Sequence, residues 1–368
     1  MFPGIFAGIF PAPAGEVLSG GVIALATDGT FTRASDGTYQ TSASTLAVAS
    51  SNVRRFEDRG DASGLLIERQ HANTIPNSRD LTAGTWTSAN TYTTANAAVG
   101  PDGLTKADRQ NVPANVLGKY DGLSGAGHWS FWARSVSGTA TLQFWAGGSD
   151  ASFNSVSLGT TWQRVYSEGA VSAPINVVTC DGRSSVAKGH SSLAQDFYFD
   201  FFQYDTSSLL YALSPIETAA STVTVEPDKL EFASGSWDSA LASGVVTYTI
   251  RPLWAPADLQ SGNLRWLWSI GGSSDGVRIR NDGTGTLVEM LDGGSVVASS
   301  GYMTHARDAE VEIIIDASVG QITLDGVAGS VGTAPSWSTA TIARLGGIQG
   351  ASSGSGNEID ARIISVIA

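Results

Sequence analysis

The chain has 368 residues and a formal net charge of −13, with 43 glycines, one cysteine and only 15% charged residues. An acidic surface excludes the nucleic-acid backbone as a partner and disfavours anionic lipid. A lone Cys180 excludes an internal disulfide, so packing and assembly must hold the fold. Few stretches place apolar residues at helical spacing, whereas apolar/polar alternation recurs from Thr139 to the end, so the chain reads as all-β.

The N-terminus reads MFPGIFAGIFPAPAGE. No Lys or Arg precedes Arg33, so the positive leader of a secretion signal is missing. The apolar run is too short to cross a bilayer, and Pro3, Pro11 and Pro13 break any helix in it, so no membrane insertion is expected. Phe2, Ile5, Phe6, Ile9 and Phe10 are instead expected to anchor the chain to a partner or to other copies of itself. The alternative is a terminus folded back on its own domain. Residues 1–30 thus form an apolar anchor and linker.

Segment 31–76 follows, an extended or β region holding FTRASDGTYQ, NVRRFEDRG and the compact run GLLIE, which reads as a partly buried strand. Residues 77–228 suit a jelly roll, with strands GHWSFWARS, GTATLQFWAGG, TTWQRVYSEG, APINVVTCDG and QDFYFDFFQYD bounded by Gly, Ser, Asp or Pro. Residues 223–243 look polar and loop-like. A second strand series, from GVVTYTIRPLW to EIDARIISVIA, makes 229–368 a further sandwich, with Asn281-Asp282-Gly283, Asp292-Gly293-Gly294 and Asp325-Gly326 as hairpin turns. The predicted fold is tandem antiparallel β-sandwiches preceded by an extended anchor.

Several positions carry a family resemblance: Phe31 to Ser35 and Tyr39; Asn52, Val53, Arg55 and Phe56; Gly64 to Glu68; Asn73, Asn77, Ser78, Asp80, Leu81 and Trp86. Their order resembles phage and gene-transfer-agent virion proteins, namely head spikes or head fibres and tail-fibre or minor tail proteins. TTWQRVYSEG is similar to the signature strand of carbohydrate-binding jelly rolls, and VVTYTIRPLW opens a region similar to concanavalin-like and laminin-G-like lectins. The resemblance implies an appendage on the virion surface that meets other virion proteins (capsid, tail or fibre base) and host surface polysaccharide, as a homo-oligomer. A purely architectural decoration or spike base is the runner-up, and a polysaccharide depolymerase the third reading.

No enzyme constellation stands out. His71, His128, His190 and His305 are scattered, and no G-x-S-x-G elbow occurs. Sugar binding rests on aromatic rings, whose flat faces stack on sugar C–H groups. Alternation sends Trp129, Phe131 and Ala133 to one face and His128, Ser130, Trp132 and Arg134 to the other. With Gln143 and Trp145 from the next strand, Trp132 and Arg134 are expected to form an exposed glycan platform, unless the N-terminal segment or a neighbouring subunit covers that face. Trp129, Trp162, Trp266 and Trp268 are expected in cores. No cofactor is expected except calcium, which the likeness to laminin-G-like lectins would place at Asp275, Asp282 and Asp292, although Asp-Gly is also the default hairpin pair.

Overall fold

A computed structural model describes residues 29–60, 63–83, 86–89, 92–112, 119–121, 128–145, 153–166, 195–205, 211–233, 244–271, 273–337, 342–347 and 359–367. The anchor residues Phe2, Ile5, Phe6, Ile9 and Phe10, and the predicted strand around Cys180, lie outside them. Among the described residues the fold is all-β, every strand pair is antiparallel, and the one helical turn is a 3-10 turn at Pro256–Asp258.

The larger body is a sandwich of two seven-stranded sheets. Its front sheet runs in the spatial order β1 (Thr30–Thr32), β17 (Lys229–Ala233), β26 (Ile342–Leu345), β19 (Leu264–Ile270), β20 (Asp275–Asn281), β21 (Thr286–Asp292), β22 (Ser295–Tyr302). Its back sheet runs β25 (Val327–Ala328), β24 (Gln321–Leu324), β23 (Val311–Asp316), β18 (Val245–Pro252), β27 (Ala361–Ile367), β5 (Gly64–Ile67), β4 (Phe56–Glu57). Alternation builds the core. On β18, Val246, Tyr248 and Ile250 point inward to share a cluster with Val277, Ile279, Val288 and Met290. Each such side chain contributes about 1.5–3 kcal/mol on burial.

The 31–76 segment is part of this sandwich. Phe31 of β1 pairs with Leu230, and Leu66 of β5 pairs with Arg362 of β27. The last strand therefore sits inside the back sheet, between β18 and β5. Two expectations are corrected here. GLLIE is not partly buried: Gly64–Ile67 is buried throughout, flanked by β4 and β27. The supposed loop at 223–243 contains β17, where Leu230 and Phe232 alternate with Lys229 and Glu231 and enter the core.

The smaller body centres on a five-stranded sheet in the order β14 (Gln163–Tyr166), β11 (His128–Ser135), β15 (Gln195–Asp205), β9 (Ala107–Val112), β8 (Tyr92–Ala98). The hairpin β12 (Ala140–Trp145) and β13 (Phe153–Leu158) closes its inner face, with Leu142 and Leu158 packed on Trp129, Phe131, Phe197 and Phe199. Three further pairs complete the fold: β2 (Gly37–Ser42) with β3 (Thr45–Ala49), β6 (His71–Asn73) with β16 (Val223–Val225), and β7 (Thr87–Ala89) with β10 (Lys119–Asp121).

Two bulges reset alternation. In β15, Ser130 pairs with Gln203 but Trp132 pairs with Asp200, so Phe201 and Phe202 both oppose Phe131. Phe201 takes φ 49°, a rare conformation for a bulky residue, with its amide donating to its neighbour's Asp200 Oδ1 at 2.9 Å. The extra residue sends Phe202 and Tyr204 into the inner core and Phe201 to the outer face. In β19 a second irregularity lies between Trp266 and Trp268. Trp268 reaches the inter-sheet core as expected, whereas Trp266 is buried apart from it, against Leu291.

Candidate functional site

The outer face of the five-stranded sheet is not an open platform. Trp132 is 0% exposed, packed with Leu46, Ala107, Trp162 and Phe201. Leu46 belongs to the hairpin β2–β3, which lies over this face and is held there by the Leu46 amide donating to the Pro101 carbonyl at 2.8 Å. Further along, the Ile216 amide donates to Gln203 Oε1 at 3.0 Å and Arg164 Nη2 donates to the Leu213 carbonyl, so residues 211–218 cover the rest. The exposure expected of Trp132 is therefore corrected: the aromatic face is a seam within the chain. Arg134 stays at its rim, half-buried, its guanidinium 4.5 Å from the Tyr198 ring centroid and 5.1 Å from that of Trp162. The side chains of Gln143 and Trp145 lie outside what is described, although their backbones pair with Ser155 and Phe153.

A buried charged quartet ties the two sheets of the larger sandwich where β1 and β17 come against β4 and β5, and Asn73 beside it reaches the smaller body. Arg33 Nη1 donates to Asp228 Oδ1 at 3.0 Å, and its Nη2 to the carbonyls of Ala49 and Ser50. Arg55 donates to Asp228 Oδ2, to Glu68 Oε2 at 2.8 Å, to Ser214 Oγ at 2.8 Å and to the Thr38 carbonyl at 2.9 Å. All four charged side chains are buried, and their two cations and two anions cancel. Burial pushes the Glu68 carboxyl up, but the Arg55 guanidinium, the nearby His71 and the two hydrogen bonds from Ser214 together outweigh it and hold that carboxyl at about 2. Asn73 spends its whole amide on backbone, donating to Phe202 and Ile216 carbonyls and accepting from Ile75 and Tyr204 amides. Ser78 Oγ accepts the Thr218 amide at 2.8 Å, and Trp86 Nε1 donates to the Asn77 carbonyl at 3.1 Å.

A second charged cluster surrounds Arg79. It makes bidentate pairs with Asp200 (2.6 and 2.8 Å) and Asp102 (2.6 and 2.9 Å), reaches Glu217 at 3.1 Å, and lies 4.0 Å from the Phe201 ring centroid. Burial, with Asp102 close by, pushes the Asp200 carboxyl up to about 6 despite Arg79. Burial likewise pushes Asp108 up to about 6, although it accepts the amides of Leu81 and Asn96. Raised carboxyls attract attention as candidate acids. Asp200 faces outward with Arg79, while Asp108 follows the outward-facing Ala107 on β9 and so points to the inner face. The sheet stands between them.

A cleft of about 290 Å³ opens where the covering hairpin stops. One wall is the start of β2 with Val48, the other is residues 215–225, and Phe201 forms part of the lining. Thr38 Oγ1 donates to the Pro215 carbonyl and ties the two walls together. Glu217, held by Arg79 and by Lys106 at 2.6 Å, borders the same space. No sequence signal marked this cleft, because its walls come from segments more than a hundred residues apart.

The three calcium candidates do not converge. Asp275 and Asp282 flank opposite ends of β20, and among the described residues no group of three or more His, Cys, Asp or Glu side chains is placed to hold a metal. Each carboxylate serves a turn instead: Asp275 accepts the Gly293 amide, Asp282 those of Thr284 and Gly285, and Asp292 the amide and hydroxyl of Ser336. No protein-family model matches the chain, and no curated protein matches it.

Proposed function

We propose that this chain is a non-catalytic appendage of a phage-type particle, a head spike, head fibre or tail-fibre component that sits on the virion surface in several copies and captures host glycans. The observation that supports this reading most is the buried quartet. Among the positions that resemble virion proteins, Arg33, Arg55 and Glu68 meet Asp228 between the two sheets of the larger sandwich, and Asn73 bonds to Phe202 and Tyr204 of the smaller body. Arg33, just after the first described strand β1, is bonded to Asp228, Ala49 and Ser50. Several copies would convert weak sugar affinity into avidity.

The burial of Trp132 favours a second reading, an architectural decoration without glycan affinity. One experiment addresses both. A chain lacking residues 1–20 should fold with the same melting profile and fail to enter particles, whereas the full chain should enter particles and bind host polysaccharide. Incorporation of the shortened chain at the normal level overturns the anchor. Normal incorporation of the full chain with no polysaccharide binding replaces attachment by architecture.

A further inference from the structure

The cleft beside β2–β3 combines features that the covered aromatic face lacks. Its volume of about 290 Å³ lies at the lower end of the roughly 300–1,000 Å³ typical of ligand pockets, so it suits one ring and not an extended chain. Apolar wall comes from Val48, which is 60% exposed, and from the half-buried Val223, with Ile216 and Phe201 buried behind them. Hydrogen-bonding capacity is left over on three lining residues. Asp36 accepts the Ser51 amide with Oδ1, which leaves Oδ2 uncommitted among the described residues. Ser35 Oγ accepts the Glu226 amide and retains its proton. Thr224 is exposed, and its hydroxyl has no hydrogen bond among the described residues. No lysine or arginine lines the space, and Asp36 and Glu217 both border it.

We propose that this cleft binds a single neutral sugar ring, with Val48 and Val223 against its C–H groups and Ser35, Asp36 and Thr224 on its hydroxyls. The carboxylate of Asp36, with no lysine or arginine among the lining residues, excludes anionic sugars, whereas Glu217 is already paired with Arg79 and Lys106. The inference rests on the attachment reading and names its site and ligand class.

The test is saturation-transfer NMR on the full chain with methyl α-glucopyranoside, methyl α-galactopyranoside and N-acetylglucosamine, and with glucuronic acid as the anionic probe. It is run beside a host-polysaccharide binding assay. Val48→Trp and Thr224→Trp fill the cleft from exposed strand positions, where an aromatic side chain is tolerated, and their melting curves verify folding. At least one neutral sugar should give transfer that both variants abolish, with none from glucuronic acid. Transfer that persists in both folded variants, or equal transfer from glucuronic acid, overturns the site. Absence of neutral-sugar transfer with polysaccharide binding intact overturns the cleft and leaves attachment standing, whereas absence of both overturns attachment as well.

Discussion

Replacing Arg55 by Met removes the cation that links both carboxylates of the buried quartet. Its guanidinium is fully buried and donates to four acceptors, two of them carboxylates. After the change Asp228 keeps Arg33 and the Glu68 amide, at 3.0 Å each. Glu68 keeps only the amide and hydroxyl of Ser214, which makes it the stranded charge. Breaking one side of a buried pair costs about 3–5 kcal/mol, a large share of the roughly 5–15 kcal/mol that holds a typical protein folded. Chemical denaturation followed by tryptophan fluorescence would read the loss, and thermal melting would show a fall in Tm of roughly 4–7 °C for a chain of 368 residues. The pH dependence gives a second, sharper signature. In the native chain the Glu68 carboxyl is held at about 2, below its unfolded value, so its contribution is present above the unfolded value and is lost only as pH falls through about 2. Without Arg55, burial raises it instead, and the sign reverses: the variant should regain stability as the medium is acidified, and Glu68→Gln in the same chain should restore part of the loss at neutral pH. An Arg55→Met protein that unfolds at the native denaturant midpoint, or that shows no gain on acidification or from Glu68→Gln, would refute this role of the quartet.

Asp200 and Asp108, both pushed up to about 6 by burial, act in the opposite sense to Glu68. Their stabilisation is complete below the unfolded carboxylate value and is lost as pH rises through about 6, so the unfolding midpoint should be higher at pH 5 than at pH 7.5. Asp200→Asn should reduce that difference, and a midpoint unaffected by the substitution at both pH values would count against it. Trp132→Ala should cost about 3–5 kcal/mol as a core deletion. Any loss of glycan binding in that variant should therefore come with a lowered Tm, and an unchanged melting curve would contradict the covered face.

Alternation was enough to sort β11 by face: Trp129, Phe131 and Ala133 do share the inner core, and Trp132 and Arg134 do face the other way. What covers a face is not written in the strand itself. Leu46 and Trp132 are 86 positions apart, and no local pattern brings them together. The bulge in β15 was legible in principle, since Phe197, Phe199, Phe202 and Tyr204 step by two, three and two, and the step of three marks an extra residue. The same irregularity in RWLWSI separates two tryptophans that strict alternation would pair. Segment 31–76 looked independent because β1, β4 and β5 are only two to four residues long and their partners lie far along the chain. Arg33, Arg55 and Glu68 were conspicuous as a pattern, yet nothing local in FTRAS, NVRRF or GLLIE says that the three meet around Asp228.

Covering the aromatic face and opening the cleft are consequences of one arrangement. A flat row of aromatics on a sheet would bind along a polysaccharide chain, touching several rings at once. Here the hairpin β2–β3 occupies that row over Trp132 and Trp162, and the accessible apolar surface is moved to its margin, where Val48 and Val223 border a slot. The bond from Thr38 to Pro215 joins its walls and its volume of about 290 Å³ holds one ring, so it admits a chain end or a branch and excludes an internal residue with neighbours on both sides. Selectivity for terminal or branching sugars follows from that geometry. Oligosaccharides that carry the preferred ring at the non-reducing end should compete with the monosaccharide, those that carry it only internally should not, and equal competition by both would place the ligand on an open surface instead.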